Sequence, residues 1–314
     1  RMAETARILW LIYLSLTGIQ IIFLLLCRIS FYDALTHALT TMPTGGFSTY
    51  NDSIAAFNNP AAEIVIMVFM LFAGINFALY FRLIRGDYKI LKNPELRFYL
   101  AGIFIATILV AANIYEDSAS NLFLAIRHGA FQVISIVTTT GYATTNFDSW
   151  PDFSRFLILA LMFVGACGGS TGGSIKQIRW ILMIKYSLRE LRQLVHPSAV
   201  SSVRLGELSL SEEMLRPVMG FGFIYFSLTA VVTLLLTFMG VDLITALSAV
   251  AATIGNVGPG LAGVGPLETY LTLPAAGKIL LAVMMIVGRL EIYTVFVLFL
   301  PESRKLWTSA IRGD

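Results

Sequence analysis

Charged residues are scarce in this chain of 314 residues: 13% are charged, whereas 57% are hydrophobic, and the mean hydropathy is +0.77. Soluble domains carry about 25% charged residues. The shortage therefore excludes an ordinary soluble domain and predicts an all-α protein that crosses a lipid membrane several times. The net charge of +3 is small, and no nucleic acid partner is expected.

Residues that bind metals or form disulfides are also few. The two cysteines, Cys27 and Cys167, both lie in apolar stretches, so packing is their expected role, and neither a disulfide framework nor a metal site is predicted. The three histidines are far apart in sequence. A membrane-embedded enzyme would need converging His, Asp, Glu or Ser groups, and the sequence contains no such pattern. We therefore predict neither an enzyme nor a cofactor.

Long apolar runs are the main feature that the chain does contain. A helix needs about 20 apolar residues to cross a bilayer. Five stretches are long enough: 7–27, 61–84, 97–115, 217–239 and 276–300. A sixth stretch, 154–195, is interrupted by glycines near its middle. These six stretches are the predicted spanning segments.

Three shorter segments lie between the long runs and are too short or too polar to span: 31–42, 121–138 and 243–253. Asp33, Asn121 and Asp242 lie at or close to their starts, and Asp and Asn are favourable helix N-caps. We therefore predict three short helices that enter the membrane without crossing it.

Each short segment runs into the pattern Thr-x-Gly followed by a larger residue. The three copies are Thr44-Gly45-Gly46-Phe47, Thr139-Thr140-Gly141-Tyr142 and Thr253-Ile254-Gly255-Asn256. The order long helix, short helix, Thr-x-Gly loop, long helix thus occurs three times, and such repeats determine an architecture. We assign repeated helix–pore-loop–helix units to residues 1–84, 85–200 and 201–314, arranged around a central ion pore.

The Thr-x-Gly loops have the chemistry of a cation filter. Irregular backbone at membrane depth is tolerated only where it is buried in protein or lines a water-filled cavity. Backbone carbonyls can replace the hydration shell of a potassium ion, and the C-terminal ends of the short helices favour a cation. The motifs contain no Asp or Glu, which argues against selection by a carboxylate ring as in a calcium pore. The predicted ligands of a potassium ion are therefore the backbone carbonyls of these residues. The alternative is that the Thr-Gly pairs form simple re-entrant turns.

A glycine-rich stretch interrupts the sixth apolar run. Residues 165–174 contain five glycines, and glycine in a helix interior costs about 1 kcal/mol relative to alanine. We expect the second long helix of the middle repeat to be broken there. An intramembrane gate loop is predicted from six of these residues: Gly168, Gly169, Ser170, Thr171, Gly172 and Gly173. The alternative is a simple kink that allows close packing.

Arg289 lies inside the apolar run 276–300, where a charged side chain is costly and usually pairs with a polar partner. Glu291 is two residues away and would face another side of a continuous helix, so the carbonyls of the gate loop are the expected partner. We predict that Arg289 holds the loop and adds a positive barrier to cations. The alternative is an arginine whose charged end reaches the membrane surface.

Basic residues are concentrated in two linkers, 82–97 and 176–216, whereas the Thr-x-Gly side carries several Asp and Glu and few basic residues. The positive-inside rule therefore makes the linkers cytoplasmic and directs the Thr-x-Gly loops outward. The basic residues of 185–204 form either a surface beside the lipid or a docking site for a cytoplasmic partner.

The three motifs resemble the filters of the Trk/Ktr/HKT superfamily, most closely those of its bacterial TrkH/TrkG-type potassium-uptake subunits. The segments 168–176 and 288–292 are similar to two further family landmarks, and the resemblance covers essentially the whole chain. It implies potassium uptake across the bacterial cytoplasmic (inner) membrane, a loop that obstructs the pore and an arginine at the constriction. The resemblance also associates glycine at the central filter position with potassium preference, and Gly46, Gly141 and Gly255 comply.

The resemblance also implies an assembly. The family has four repeats per chain, so the repeats here correspond to the second, third and fourth, and the first is expected upstream of residue 1. The implied partners are a second copy, forming a homodimer, and a cytoplasmic nucleotide-binding regulatory ring of the TrkA type. Two other functions remain open: a potassium symporter coupled to sodium or protons, which normally needs acidic residues inside the membrane, and a non-conducting assembly subunit.

Overall fold

The computed structural model describes residues 2–116, 120–197, 202–206 and 208–299, and these are mostly helical. Three groups of helices follow one another, with an antiparallel hairpin before the last group. The elements are α1 (Met2–Leu26), α2 (Phe31–Thr41), α3 (Pro60–Ala73) and α4 (Phe77–Ile84); α5 (Pro94–Asn113), α6 (Leu122–Val137), α7 (Asp152–Met162) and α8 (Gln177–Val195); β1 (Val203–Leu205) and β2 (Leu208–Leu210), with Val203 opposite Leu210; and α9 (Glu212–Phe238), α10 (Leu243–Ile254), α11 (Ala275–Arg289) and α12 (Ile292–Val297).

The short helices α2, α6 and α10 are each enclosed by their own group. α2 packs against α1 and α3, α6 against α5 and α7, and α10 against α9 and α11. Successive groups meet where α3 packs against α6 and where α7 packs against α10. This arrangement brings the loops that follow the three short helices into one region.

Polar side chains cap the N-termini of the short helices. Asn121 and Asp242 are N-caps whose side chains accept hydrogen bonds from backbone amides of the first turn. The N-cap of α2 is Ser30 rather than Asp33, since Ser30 Oγ accepts from Asp33 N at 3.1 Å and donates to the Asp33 carboxylate at 2.7 Å. Hydrogen bonds from Thr245 hold the pKa of the Asp242 carboxyl below its usual range, so this cap stays charged at neutral pH.

The second long helix is broken in every group, whereas the sequence predicted continuous spans over 61–84 and 276–300. α3 and α4 are bent by 92° at their break. Leu290 and Glu291 separate α11 from α12, and Glu291 has a φ of 64°. Asn76 ends the first break by capping α4 with its side chain. Local polar residues and positive φ values thus override an apolar pattern that looks continuous in the sequence.

Within the described ranges, three helical segments are long and apolar enough to cross a membrane: Ala6–Leu26, Pro94–Asn113 and Glu212–Phe238, and the bent pair α3–α4 would make a fourth. Large apolar side chains on these long helices are exposed, among them Trp10, Phe104 and Phe223. Such a surface suits lipid rather than water.

The inner halves of α6 and α10 form the rigid support behind the loops. Every residue from Phe131 to Val137 in α6 is buried, as is every residue from Ser248 to Ile254 in α10. A helix that is buried on all sides lies inside the protein rather than at its lipid surface. The loops that follow these helices are therefore anchored in the most tightly enclosed part of the fold.

Candidate functional site

The loops after α2, α6 and α10 touch one another through their backbones. A Cβ atom built on Gly46 would lie 1.7 Å from the carbonyl oxygen of Thr140, and one built on Gly141 would lie 2.0 Å from that of Val257. No side chain fits at such distances, so both positions require glycine. The contacts run from the first loop to the second and from the second to the third, as expected for loops placed around a common axis.

The three loops share one backbone conformation. The first residue of each loop has a φ between 53° and 58°, and the glycine two residues later has a φ between 65° and 111°. These pairs are Thr44 and Gly46, Thr139 and Gly141, and Asn256 and Gly258. The amide between the two donates to a carbonyl of the preceding helix: Gly45 to Thr40, Thr140 to Ser135 and Val257 to Ala252. These matching angles and hydrogen bonds define which residues are equivalent.

The third loop begins three residues later than its sequence motif indicates. Thr253 and Ile254 belong to α10, and Gly255 is its C-cap with a φ of −76°. Asn256 takes the place of the threonine that begins the other loops, and Gly258 takes the place of the filter glycine. The physical reason is that α10 is built of small and apolar residues buried on all sides, which extend the helix through the predicted motif. One signal was present in the sequence, since the residue after Gly258 is a proline, which cannot continue a helix.

Several backbone oxygens of these loops have no hydrogen-bond donor among the described residues. In the part of the chain that the structure describes, no donor is hydrogen-bonded to the carbonyl oxygens of Gly45, Gly46, Thr140, Gly141 or Val257. A cavity of about 350 Å³, the filter cavity, is lined by residues of all three loops. Unpaired carbonyls beside a cavity can replace the water shell of a cation.

The residues after the first two filter glycines differ in their roles. The side chain of Phe47 is 76% exposed, while its carbonyl oxygen accepts a hydrogen bond from Thr40 Oγ1 at 2.9 Å. Tyr142 is fully buried, and its hydroxyl lies 2.6 Å from Thr40 Oγ1 and 3.2 Å from the carbonyl oxygen of His37. Tyr142 therefore ties the second loop to the helix that supports the first.

The predicted gate loop contacts the loops of all three groups. Thr44 Oγ1 donates to the carbonyl oxygen of Thr171 at 2.9 Å, and Gly173 N donates to Thr139 Oγ1 at 2.7 Å. A Cβ atom on Gly173 would lie 2.4 Å from the carbonyl oxygen of Gly255. The threonines that begin the first two loops thus hold the gate loop with their side chains, a role that the sequence did not predict.

Thr171 is held from several directions. Its hydroxyl donates to the carbonyl oxygen of Met42 at 2.9 Å and also lies 3.2 Å from that of Ala73, which accepts from the backbone amide of Thr171. Its own carbonyl oxygen accepts from Arg289 Nη1 at 3.0 Å as well as from Thr44. Arg289 therefore contacts a carbonyl of the gate loop, which is the partner expected from the sequence.

The first half of the gate loop is fixed by a residue outside it. The buried carboxylate of Glu95 accepts hydrogen bonds from Gly168 N at 2.6 Å and from Ile178 N at 3.2 Å. The carbonyl oxygen of Gly169 accepts from Phe77 N at 3.1 Å. Sequence reasoning missed Glu95, although an acidic residue directly before the apolar run 97–115 was a possible signal.

Ser170 and Gly172 make their contacts within the loop. Ser170 Oγ donates to the carbonyl oxygen of Cys167 at 2.6 Å and accepts from Gly172 N at 3.2 Å. A Cβ atom on Gly172 would lie 2.6 Å from that of Ala166. These two residues therefore shape the turn of the loop rather than its attachment.

Glu291 connects the break of the last group to the end of the gate loop. Its carboxylate pairs with Lys176 Nζ at 2.9 Å and with Arg179 Nη2 at 2.5 Å. A second cavity of about 250 Å³, the gate cavity, is lined by the gate loop together with Arg289 and Glu291. The filter cavity and the gate cavity share no lining residue.

Comparison with known proteins matches nearly the whole chain. A family model described as TrkH, cation transport protein, matches residues 1–309. The chain belongs to the TrkH family. The family predicted from the sequence motifs is thus confirmed.

Among members of the TrkH family, the chain is 38% identical over 304 residues to the Trk system potassium uptake protein TrkH of Escherichia coli (strain K12), which covers 96% of the chain and 62% of that relative. It is also 38% identical over 306 residues to the Trk system potassium uptake protein TrkH of Halomonas elongata, with the same two coverages. The chain thus spans about three fifths of the length of these curated relatives.

The fold matches that of a solved TrkH-family structure. The crystal structure of the potassium transporter TrkH from Vibrio parahaemolyticus superposes with a TM-score of 0.90 at 36% sequence identity, covering 96% of this chain and 65% of that one. The predicted fold class, an all-α membrane protein of repeated helix–pore-loop–helix units, is therefore confirmed.

Proposed function

We propose that this chain forms most of the pore of a potassium-uptake protein. The observation that carries the proposal is the set of unpaired carbonyl oxygens of Gly45, Gly46, Thr140, Gly141 and Val257 beside the filter cavity. Potassium loses its water at these oxygens, which replace the hydration shell. The similarity to relatives that carry the name potassium uptake protein supports the same substrate.

The field at the loops also favours a cation. The C-terminal ends of α2, α6 and α10 run into the three loops, and a helix C-terminus carries a partial negative charge of about half an electron. No Asp or Glu lies within the loops, so selection depends on backbone oxygens and their spacing rather than on a carboxylate. In this proposal Gly258 takes the central position that the sequence motif assigned to Gly255.

The gate loop closes the path between the filter cavity and the gate cavity. The hydrogen bonds of its Thr171 and Gly173 to the filter threonines and to Arg289 hold it across that path. The guanidinium of Arg289 adds a positive charge where a cation would leave. Opening therefore requires the loop to release these bonds.

The remaining parts of the proposal concern the surroundings of the pore. The linker 82–97 carries five exposed basic residues, which supports a cytoplasmic position and an outward-facing filter: Arg82, Arg85, Lys89, Lys92 and Arg97. We place the chain in the bacterial inner membrane as a homodimer. A cytoplasmic nucleotide-binding ring of the TrkA type controls the gate in this scheme.

The test is cation flux through the protein expressed from its natural reading frame and reconstituted in liposomes. We expect rubidium uptake that potassium competes away and sodium does not. Gly141→Ala should lower this flux about tenfold or more, because backbone strain of this kind costs about 1–3 kcal/mol. The matched control is Gly102→Ala, since a Cβ atom at Gly102 meets nothing within 4 Å.

Three results would contradict the proposal or change it. Uptake no greater than in protein-free liposomes would refute conduction and favour a non-conducting assembly subunit. Equal flux in wild type and Gly141→Ala would remove the filter assignment. Flux that requires a sodium or proton gradient would replace the channel with a coupled symporter.

A further inference from the structure

Pore-helix hydroxyls tether the first two filter loops just after their glycines. Thr40 Oγ1 of α2 donates to the carbonyl oxygen of Phe47 at 2.9 Å. Ser135 Oγ of α6 donates to the carbonyl oxygen of Tyr142 at 2.6 Å. Thr40 and Ser135 are equivalent residues, because each also accepts the amide of the middle loop residue. Each loop thus returns to its own short helix immediately beyond the filter glycine.

The tether of the third loop lies further along the chain, where Ser248 Oγ of α10 donates to the carbonyl oxygen of Leu261 at 3.1 Å, three residues after the filter glycine. Ala252 is the residue of α10 equivalent to Thr40 and Ser135, and it has no hydroxyl. The residue after Gly258 is Pro259, whose carbonyl oxygen accepts no hydrogen bond from any described residue. Without another contact, the carbonyls of Gly258 and Pro259, which precede this tether, would be free to rotate.

Tyr270 supplies a contact that the other two loops lack. Its hydroxyl donates to the carbonyl oxygen of Gly258 at 2.8 Å, so it reaches a filter glycine directly. The residue lies in the 3-10 helix Tyr270–Thr272 and lines the filter cavity. The Tyr270 hydroxyl is protonated at neutral pH without any shift, since a tyrosine has a pKa of about 10, so it is able to donate.

We propose that Tyr270 is a positioning residue that sets the cation preference of the filter by holding the Gly258 carbonyl. This inference depends on the proposed potassium filter. The hydrogen bond fixes the direction of one carbonyl and leaves its second lone pair for an ion. A fixed set of oxygens cannot contract around a smaller ion, so loss of the bond weakens the discrimination of potassium from sodium.

The test measures cation binding at equilibrium. The protein, expressed from its natural reading frame, is purified in detergent, and its melting temperature is followed against potassium and against sodium at constant ionic strength. Tyr270→Phe removes one oxygen atom. We expect the potassium midpoint, the potassium concentration that gives half of the rise in melting temperature, to increase about threefold to tenfold, which is the effect of one neutral hydrogen bond. The ratio of the sodium to the potassium midpoint should fall with it.

The matched control is Tyr293→Phe. Tyr293 also donates to a backbone carbonyl at 2.8 Å, that of Pro217, which is not part of a filter loop. Its loss should leave both cation midpoints unchanged. A change of the same size in both variants would overturn the proposal, because it would show a general effect of losing a hydroxyl.

The binding measurement separates this inference from the proposed function. Unchanged midpoints in Tyr270→Phe would overturn the role of Tyr270 while rubidium flux through the wild type still stood. A wild type without flux would refute the proposed function, yet a changed midpoint ratio in Tyr270→Phe would still support the role of Tyr270 in cation binding. A wild type that neither cation stabilises would overturn both.

Discussion

The breaks in the second long helices differ in length and in what they contact. Residues 74–76 separate α3 from α4, and residues 290–291 separate α11 from α12. In the middle group the break runs over residues 163–176. The long break is hydrogen-bonded to the filter threonines of two groups, whereas the short breaks and their flanks bind the long one: Ala73 accepts from Thr171, and Arg289 donates to it.

The difference in length distinguishes a feature common to all three groups from one that the middle group alone has. A break in every second helix belongs to the repeated unit, because all three groups contain one. Only the middle break is long enough to extend from its own group to the loops of the other two. The short breaks are attachment points for the long break, and in the proposed function the long break is the element that moves.

Shortening the long break is expected to have the largest effect. Deletion of residues 170–173 removes Thr171 and Gly173, and with them the bonds to both filter threonines. Rubidium flux in liposomes should rise about tenfold or more, equivalent to about 1.4 kcal/mol or more of barrier. The ratio of rubidium to sodium flux is the control and should stay the same, because the filter carbonyls are left in place. Unchanged or lower flux would show that the loop does not obstruct the path.

Removal of the arginine should have the next largest effect. Arg289→Ala deletes the charge-assisted hydrogen bond to the Thr171 carbonyl, and bonds to charged groups are worth about 1.5–3 kcal/mol. We expect rubidium flux to rise, though less than in the deletion, because Thr44 still holds the same carbonyl. Arg289→Lys keeps the charge and should fall between wild type and alanine. If lysine and alanine gave the same flux, the positive charge would have no part in the barrier.

Much of this architecture follows from sequence patterns that repeat. Alternating long and short apolar segments were sufficient to locate α2, α6 and α10 within two residues at each end, since 31–42, 121–138 and 243–253 became Phe31–Thr41, Leu122–Val137 and Leu243–Ile254. The contact of Arg289 with the gate loop was also predicted, because a buried arginine needs oxygen partners and the glycine-rich stretch offers them.

The predictions that were wrong or missing have physical causes that the sequence of one segment does not reveal. The breaks at 74–76 and 290–291 were missed because hydropathy measures the apolar character of a run, not the φ angle of Glu291. The predicted start of the third loop was wrong because the loop begins where α10 ends. The end of α10 depends on burial by neighbours that are distant in sequence. The partners of Glu95 and Tyr270 are likewise set by tertiary contacts.

Loss of the filter threonine hydroxyls should have the smallest effect and tests the corrected position of the third loop. Thr44→Val removes the donor to the Thr171 carbonyl, and Thr139→Val removes the acceptor of Gly173 N. Each neutral hydrogen bond is worth about 0.5–1.5 kcal/mol, so rubidium flux should rise by about twofold to tenfold in each variant. Thr253→Val is the matched control.

The hydroxyl of Thr253 donates to the carbonyl oxygens of Ala249 at 2.7 Å and Val250 at 3.1 Å, both within α10. Its removal should therefore leave rubidium flux unchanged, even though the sequence motif makes Thr253 the counterpart of Thr44 and Thr139. If all three valine variants altered flux equally, the sequence register would be the functional one and the backbone equivalence of Asn256 with the two threonines would be misleading. If only Thr44→Val and Thr139→Val altered it, hydroxyls of the first two filter loops would hold the gate loop, and the third group would hold it through Arg289 instead. The side chain of Asn256 would then have no part in holding the gate loop, since it donates to the carbonyl oxygen of Met285 at 3.2 Å.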